Sequence, residues 1–544
     1  MTLSRRTLLS SALAGTALAA AGGSELSSAF ATSPAQASPA ASAAGDVVGK
    51  ITVGYQGWFA CIGDGAPIDA WWHWSQNESQ APSPSNENIK AWPDMSIYSA
   101  GYKTGYANLG NGSAPTLFSS YDQSTVNAQF SLMQQNGCDT AALQRFDPNG
   151  SEGPTRNAVT AKVNTAAQQY GRKFYIMYDA SGWTNMKTEM PADWTNVMSQ
   201  YASSPAYAHQ NGKPVVGIWG FGFNDANHPW SAADCLSVVQ WFQSQGCYVM
   251  GGVPTYWRTG VNDSRSGYLN VYSAFNMISP WMVGRIGSAA DSNNFYTNVN
   301  VGDQSYCNSH GIDYQPCVLP GDLSARQRAH GDFMWAQFYN MVRVGAQGIY
   351  ISMFDEYGEG NQILNTAPTQ ASVPTNSGLL SLDEDGTACS ADYYLRLTND
   401  GGRMLKGQIA LTATRPTAPV LNGGGGGGGG TGCGQMAANQ QITVNQSTLS
   451  CDGRFKLVLQ GDGNLVLYQG STPLWASNTV GQASANAIMQ GDGNFVVYDG
   501  SGKPLWASNT AGNSGAYLSV QNDGNTVIFS ASGATLWSTG TGGH

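Results

Sequence analysis

Eight consecutive glycines, Gly423 to Gly430, set the first limit on what this chain can fold into. A run without side chains buries nothing and loses the most backbone entropy on ordering, so no packed element continues through it. It reads as a flexible linker with a mean reach of about 15 Å, from roughly 5–6 Å times the square root of its length. The 544 residues also exceed what a single core usually supports. Two bodies are therefore expected, one over 46–420 and one over 433–544, joined by 421–432.

The body after the linker repeats itself. "LQGDGNLVLY", "MQGDGNFVVY" and "VQNDGNTVIF" recur with their glutamines at Gln460, Gln490 and Gln521, and each is followed by "PLWASNT", "PLWASNT" or "TLWSTGT". Alternation of polar and apolar residues predicts half-buried strands, Asp-Gly predicts tight turns, and the trailing Trp supplies a shared core. Three such units make an all-β, three-fold β-prism. Alternation also puts Gln, Asp, Asn and Tyr on one strand face, where they can donate to and accept from the hydroxyls of a hexose.

From Cys433 nearly to the end, this pattern resembles the bulb-type mannose-binding lectin family, whose motif is Q-x-D-x-N-x-V-x-Y. The resemblance implies mannose sites at Gln460, Asp462, Asn464, Val466 and Tyr468, and at Gln490, Asp492, Asn494, Val496 and Tyr498. In the third repeat Gln521, Asp523, Asn525 and Val527 stand, but Phe529 replaces Tyr; that site is expected to be weaker or silent. A repeat kept for folding alone is the alternative, since Asp-Gly-Asn is also good turn chemistry.

Composition points the same way. Only 11% of the residues are charged, against roughly 25% in typical soluble proteins, while Gly (68), Tyr (25) and Trp (16) are plentiful. A neutral, aromatic surface suits poly- or oligosaccharide partners, because rings lie against the apolar faces of pyranoses. A net charge of -10 with no basic run argues against nucleic acid or an anionic membrane surface as partner.

The chain opens "MTLSRRTLLSSALAGTALAAAGG", a paired arginine before a short Ala/Leu-rich run. This predicts a secretory signal over 1–31, of the twin-arginine type that exports folded chains. Ala29-Phe30-Ala31 offers the cleavage site, and a Ser/Pro/Ala tether follows over 32–45. The apolar run is shorter than the ~18 residues a membrane span requires. A secreted, extracellular protein is expected. Nine cysteines fit an oxidising destination, with Cys235–Cys247, Cys307–Cys317 and above all Cys433–Cys451 as the close pairs for bridges. None shows zinc spacing, so neither metal nor cofactor is expected.

The body before the linker carries eight apolar runs: "KITVGYQ", "TAALQRF", "KFYIMYD", "KPVVGIWG", "CYVMGGV", "FNMISPWMV", "DYQPCVLP" and "QGIYISMF". Helical segments such as "RNAVTAKVNTAAQQYG", "SAADCLSVVQWFQSQG" and "SARQRAHGDFMWAQFYNMVRVG" lie between them. Strand and helix alternating in this way predict an α/β fold, a (β/α)₈ TIM barrel, with an open doubly wound sheet as the alternative. No G-x-G-x-x-G follows the first strand, so a dinucleotide fold has little support.

In such barrels chemistry sits at the C-terminal strand ends. The expected site therefore collects Tyr55 and Trp58, Arg145 and Asp147, Tyr178 and Asp179, Trp219, Tyr256 and Trp257, and Trp281. The eighth strand delivers "FDEYGEGNQI", with Asp355, Glu356, Tyr357 and Glu359. Glycosidic hydrolysis needs one carboxyl to protonate the leaving oxygen and a second group to stabilise or trap the sugar cation. Residues three apart in a turn have Cβ atoms about 5–6 Å apart, near the roughly 5–5.5 Å of retaining pairs. A solvated acidic loop is the competing reading.

"FDEYGEGNQI" resembles the N-E-W-H-E-G-T-Q-I signature of the glycoside hydrolase family 99 and 71-like group, and "GYQGWF" and "DYYLRLTNDGGRMLKG" look like that group as well. The resemblance implies a retaining barrel enzyme acting on an α-linked glycan, of α-mannan or α-glucan type. In it Glu359 is the general acid/base, and Glu356 deprotonates the substrate's own 2-hydroxyl. Tyr357 and Gly358 depart from the Trp-His pair. The alternative function is a secreted carbohydrate-binding protein with an inactive barrel. No G-x-S-x-G, H-E-x-x-H or G-x-x-x-x-G-K-[ST] pattern supports another chemistry.

Overall fold

A computed structural model describes residues 42–420, 434–450, 454–521, 523–531 and 534–544. The expected signal over 1–31, most of the tether, the glycine linker and the Cys433–Cys451 pair lie outside the described residues. The chain divides into two units between Thr417 and Ala418.

Each of the eight apolar runs forms strand. They are β1 (Ile51–Tyr55), β2 (Thr140–Arg145), β3 (Lys173–Asp179), β4 (Lys213–Trp219), β5 (Tyr248–Val253), β6 (Met277–Pro280), β7 (Asp313–Tyr314) with β8 (Cys317–Val318), and β9 (Ile349–Ile351). Each pairs in parallel with the next from β1 to β7, and β9 pairs in parallel with both β8 and β1. The seventh run is split because Pro316 has no N–H for a ladder. Its first half bonds to β6 and its second half to β9, so the first and last strands of one curled sheet belong to a single six-residue segment. Tyr350 N donates to Pro316 O at 3.1 Å across that junction. The result is a barrel-like α/β fold.

Every position of β1, β2, β5 and β9 is buried. Parallel strands covered on both faces read as unbroken apolar runs, which is why the sequence shows them. Helices cover the outside. Pro154 starts Gly153–Gln169 in its first turn, and the Ser231 hydroxyl caps Ala232–Ser244 by accepting the Asp234 amide at 3.1 Å. The helix expected from Ser324 begins only at Asp332. Arg326, Ala329 and His330 have φ of 55°, 44° and 38°, left-handed values that a helix excludes.

Between sheet and helices lies a buried ion pair. Arg145 donates from Nε to Asp193 Oδ2 at 2.6 Å and from Nη2 to Oδ1 at 2.5 Å, and the Tyr178 hydroxyl adds a bond at 2.9 Å. Both charged side chains are 2% exposed.

The seven described cysteines are all free thiols in the apolar core. This corrects the expected Cys235–Cys247 and Cys307–Cys317 bridges. Buried at 0–3% exposure, these four act as small hydrophobic side chains.

The second unit is three four-stranded antiparallel sheets. Each repeat supplies three strands, and a short strand from the segment before the repeats (Gln435–Met436, Gln440–Thr443 or Ser447–Leu449) completes each sheet. Trp475, Trp506 and Trp537 meet edge to face with ring centroids 5.3–5.6 Å apart, the favoured geometry for aromatic pairs. Leu465, Leu467, Phe495, Val497 and Ile528 fill the core beside them.

Removing one member of a buried pair strands the other charge, at about 3–5 kcal/mol. Asp193→Ala is therefore expected to lower the unfolding free energy of the first unit by that amount in urea titration; a loss under about 1 kcal/mol would contradict the burial of the pair.

Candidate active site and sugar-binding faces

The loop after β9 is built around Asp355. Its carboxylate is fully buried and accepts the backbone amides of Gln56 at 2.7 Å and Gly57 at 2.8 Å. Burial pushes this carboxyl up to about 6, against the lowering effect of those amides and of Arg156. The bonds fasten the exit of the last strand to the exit of the first.

Glu356 is next, 1% exposed. Its Oε2 accepts the Gln56 side-chain amide at 2.8 Å and its Oε1 the Gly358 backbone amide at 3.1 Å. Glu359 is half-buried on the same loop. Asn361 N returns to Glu356 O at 3.2 Å, and Met353 and Ile363 close the base of the loop. From below, buried Arg328 donates to Gly360 O and Gln362 O, both at 2.8 Å. Gly360 has φ +72°, and a Cβ there would stand 2.9 Å from Asp322 Oδ1, so only glycine fits. The loop thus holds two glutamates on a backbone fixed at both ends. A carboxylate oriented by two N–H donors still has lone pairs for a substrate hydroxyl.

The other expected residues separate by strand parity. Successive side chains point to opposite faces of a strand, so half of the residues near each exit face the helices. Tyr55 donates its hydroxyl to Gln129 on the helix Gln123–Gln135 at 2.5 Å, and Arg145 and Tyr178 bind Asp193. Trp257 donates to Asp303 at 2.9 Å. Tyr357 is wholly buried, with its hydroxyl on Asn365 O at 2.8 Å and its ring among Phe59, Trp74 and Phe118. These five side chains are buried and engaged in packing, hydrogen bonds or an ion pair within the fold.

The remaining expected residues stay near the strand exits. Trp58 is half-buried and stacks on His73 at 3.6 Å. Trp219 meets Trp281 edge to face at 5.4 Å. Asp179 accepts the Ser181 amide at 2.9 Å, Asp147 shapes its own turn through Asn149, and Tyr256 packs 6.0 Å from Phe295. Gln56 was missed by the sequence reading. It follows Tyr55 in "GYQGWF", and alternation along β1 marks it as the inward neighbour.

Among the described residues no group of three His, Cys, Asp or Glu side chains could hold a metal ion, and no helix is long and apolar enough to cross a membrane.

In the second unit, Gln460 donates to the Tyr468 hydroxyl at 2.9 Å and Gln490 to Tyr498 at 2.8 Å. These pairs stand on one face, with Asp462 and Asp492 exposed beside them. Val466 and Val496 are 2% exposed and lie outside the apolar core cluster. Asn464 Oδ1 accepts Ser477 Oγ at 3.2 Å and Thr479 N at 3.1 Å. Asn494 binds Ser508 and Thr510 alike, and Asn525 binds Thr539 and Thr541. In every repeat, then, the asparagine carbonyl holds the segment just past the repeat's third strand. Phe529 packs on Tyr517 at 5.5 Å and offers Gln521 no hydroxyl, while Asp523 stays exposed.

No protein-family profile and no curated protein sequence matches the chain. Among solved structures, the GH99 endo-alpha-mannosidase from Bacteroides thetaiotaomicron is similar over 66% of this chain and 98% of its own, at 14% identity and a TM-score of 0.47. A monomeric monocot mannose-binding lectin from Gastrodia elata covers 20% of this chain and 97% of its own, at 38% identity and a TM-score of 0.19. The mannose-specific agglutinin of snowdrop (Galanthus nivalis) bulbs, complexed with methyl-alpha-D-mannoside, covers 20% and 96%, at 39% identity and a TM-score of 0.17.

Asp355 makes stability depend on pH. With its native carboxyl raised to about 6 against about 3.9 in the unfolded chain, the native protein keeps a proton that the unfolded chain has released. Stability therefore falls as pH rises through this window. Asp355→Asn is expected to flatten that fall between pH 4 and 6 by up to about 3 kcal/mol, read from urea unfolding at stepped pH. An unchanged slope would contradict the assignment.

Proposed function

We propose that the first unit is a secreted glycoside hydrolase on a (β/α)₈ barrel, endo-acting and retaining, that cleaves an α-linked glycan of mannan or glucan type. The observation that carries this reading is the loop in which Glu356, fixed by Gln56 and Gly358, stands three residues from the more accessible Glu359.

Glu359 protonates the glycosidic oxygen as the bond to C1 breaks. Glu356 takes the proton of the sugar's 2-hydroxyl, whose oxygen closes on C1 to give a 1,2-anhydro sugar. Water then opens this ring at C1, giving its proton to Glu359, while Glu356 returns the other proton to O2. Two inversions at C1 leave the anomeric configuration retained. A base that works on the substrate's own hydroxyl must be held still, and the two donors on Glu356 do this. Tyr357 lies in packing, so its departure from the signature's Trp leaves the carboxylates untouched. Gly358 brings its backbone amide to Glu356.

The second unit supports mannose binding at the Gln460 and Gln490 faces. Tethering it to the hydrolase raises the local concentration of a mannose-bearing polymer.

Wild type is expected to release reducing ends from at least one of α-mannan and α-1,3-glucan, and Glu359→Gln to do so about 10²–10⁴-fold more slowly. If no α-glycan is cut, the barrel is a binding module; if the variant cuts equally well, Glu359 is not the acid. For the second unit, Tyr468→Phe with Tyr498→Phe gives the first two faces the chemistry of the third. Wild type is expected to be retained on a mannose column and the double variant lost from it with the melting temperature unchanged; a wild type that is not retained would remove the mannose reading, and a fully retained variant would remove the role of the two hydroxyls.

A further inference from the structure

At the exits of β3 and β4 a serine, a histidine and an aspartate form a hydrogen-bonded chain that the hydrolytic loop does not use. Ser181 Oγ lies 3.0 Å from His228 Nε2, and His228 Nδ1 lies 2.7 Å from Asp225 Oδ1. Nucleophile, base and orienting carboxylate in this order, each within hydrogen-bond reach of the next, are the arrangement by which a hydroxyl becomes a nucleophile.

The framework holds all three in place. Ser181 follows β3 in a turn fixed by Asp179, which accepts the Ser181 amide at 2.9 Å. Asp225 is clamped by Arg265, which donates to Asp225 O at 2.7 Å and to Phe223 O at 2.9 Å. Its Oδ1 also takes the Asn227 amide at 2.8 Å. Burial raises the Asp225 carboxyl, but the bond and charge of His228, with the Asn227 amide and Arg265, outweigh it and keep the group below its ordinary value. The imidazole is 1% exposed and stands against Phe223, Trp219 and Trp230, with ring centroids 5.1, 5.4 and 5.8 Å away. At Gly220, with φ +112°, a Cβ would come within 2.9 Å of His228 Cδ2, so the ring packs onto bare backbone. Ser181 itself is half-buried and open to solvent.

We propose that Ser181, His228 and Asp225 form an acyl-transfer site acting on small O-acyl esters carried by a neutral sugar. The sugar part rests on the carbohydrate reading above; the ester chemistry does not. Ser181 Oγ attacks the ester carbonyl, its proton passes to His228 Nε2, and the C–O bond to the sugar breaks as that proton is delivered to the departing oxygen. Water, deprotonated by the same imidazole, then cleaves the acyl-serine and restores the hydroxyl. The Gly182 amide, next after the nucleophile, is held by Asn227 O at 2.9 Å, and a missing oxyanion donor costs about 10²–10³ in rate. Both steps pass through a tetrahedral oxyanion, so both are slowed; an ester with a good leaving group still acylates the serine faster than water deacylates it.

The test is treatment of the full-length chain with a fluorophosphonate, which reads nucleophile activation alone, followed by peptide mass mapping. The expected result is one adduct, on Ser181, absent in Ser181→Ala and formed about 10²-fold or more slowly in Asp225→Asn. p-Nitrophenyl acetate should give a burst of nitrophenolate that Ser181→Ala lacks. Near-ultraviolet circular dichroism and melting of both variants show that each is folded. No adduct on a folded wild type, an adduct elsewhere, or equal labelling of Asp225→Asn would overturn the proposal. Reducing-end release from α-glycans is a separate readout, so failure of the ester site and failure of the glycosidase reading are distinguishable.

Discussion

The first unit depends on a carboxylate that the surrounding packing disfavours. Asp355 is buried without solvent and accepts two backbone amides from residues some three hundred positions earlier. Taking a carboxylate out of water is costly unless it is hydrogen-bonded, and its raised pKa records the part of that cost the two amides do not offset. Those bonds fix Gln56, and Gln56 does the rest. Its backbone carbonyl receives Arg156 at 2.7 Å and its side chain reaches Glu356. One residue at the end of the first strand thereby positions Glu356 beyond the last. The geometry of the proposed site follows from the parallel pairing of the first strand with the last.

The strands were legible because their burial is complete. A parallel strand with a core on both sides leaves no polar alternation, and "KFYIMYD" or "CYVMGGV" announces itself. Which face each side chain takes was not legible from the runs alone. Tyr55, Arg145 and Tyr178 look like site residues by type, yet each stands one position from the residue that faces inward: Gln56, Gln144 and Asp179. A polar residue near a strand exit is as readily a partner for a covering helix, and Asp193 supplies that partner for two of the three. Applying the two-residue period to each exit would have exchanged Tyr55 for Gln56. The helix boundary at Asp332 was hidden for another reason, since Arg328 is drawn into the glutamate loop by Gly360 O and Gln362 O, a tertiary demand that overrides local helical propensity.

In the second unit the repeats gave the sheets and the tryptophan core directly, because each Trp recurs at the same point of its repeat and the three must meet. The three short strands that complete the sheets come from "QMAANQQITVNQSTL", which has no internal repeat to betray them. The asparagines hold a dual place: their carbonyls serve the fold through Ser477, Ser508 and Thr539, so a motif position can be kept for folding and for a ligand together. The free thiols show the limit of cysteine counting, since spacing in sequence says nothing of whether two thiols face each other across a packed core. The Ser181–His228–Asp225 chain was invisible for the same reason: its members sit in two loops, and only the pairing of β3 with β4 brings those loops together.

In the proposed mechanism Gln56 and Asp355 hold Glu356 and Glu359 where a glycosidic bond will lie. The most direct measurement is a crystal structure of Glu359→Gln with an α-linked oligosaccharide bound. The glycosidic oxygen is expected within hydrogen-bond distance of the side chain at position 359, with the adjoining sugar's 2-hydroxyl on the Glu356 carboxylate. A sugar bound away from this loop, or one whose 2-hydroxyl is turned from Glu356, would contradict it.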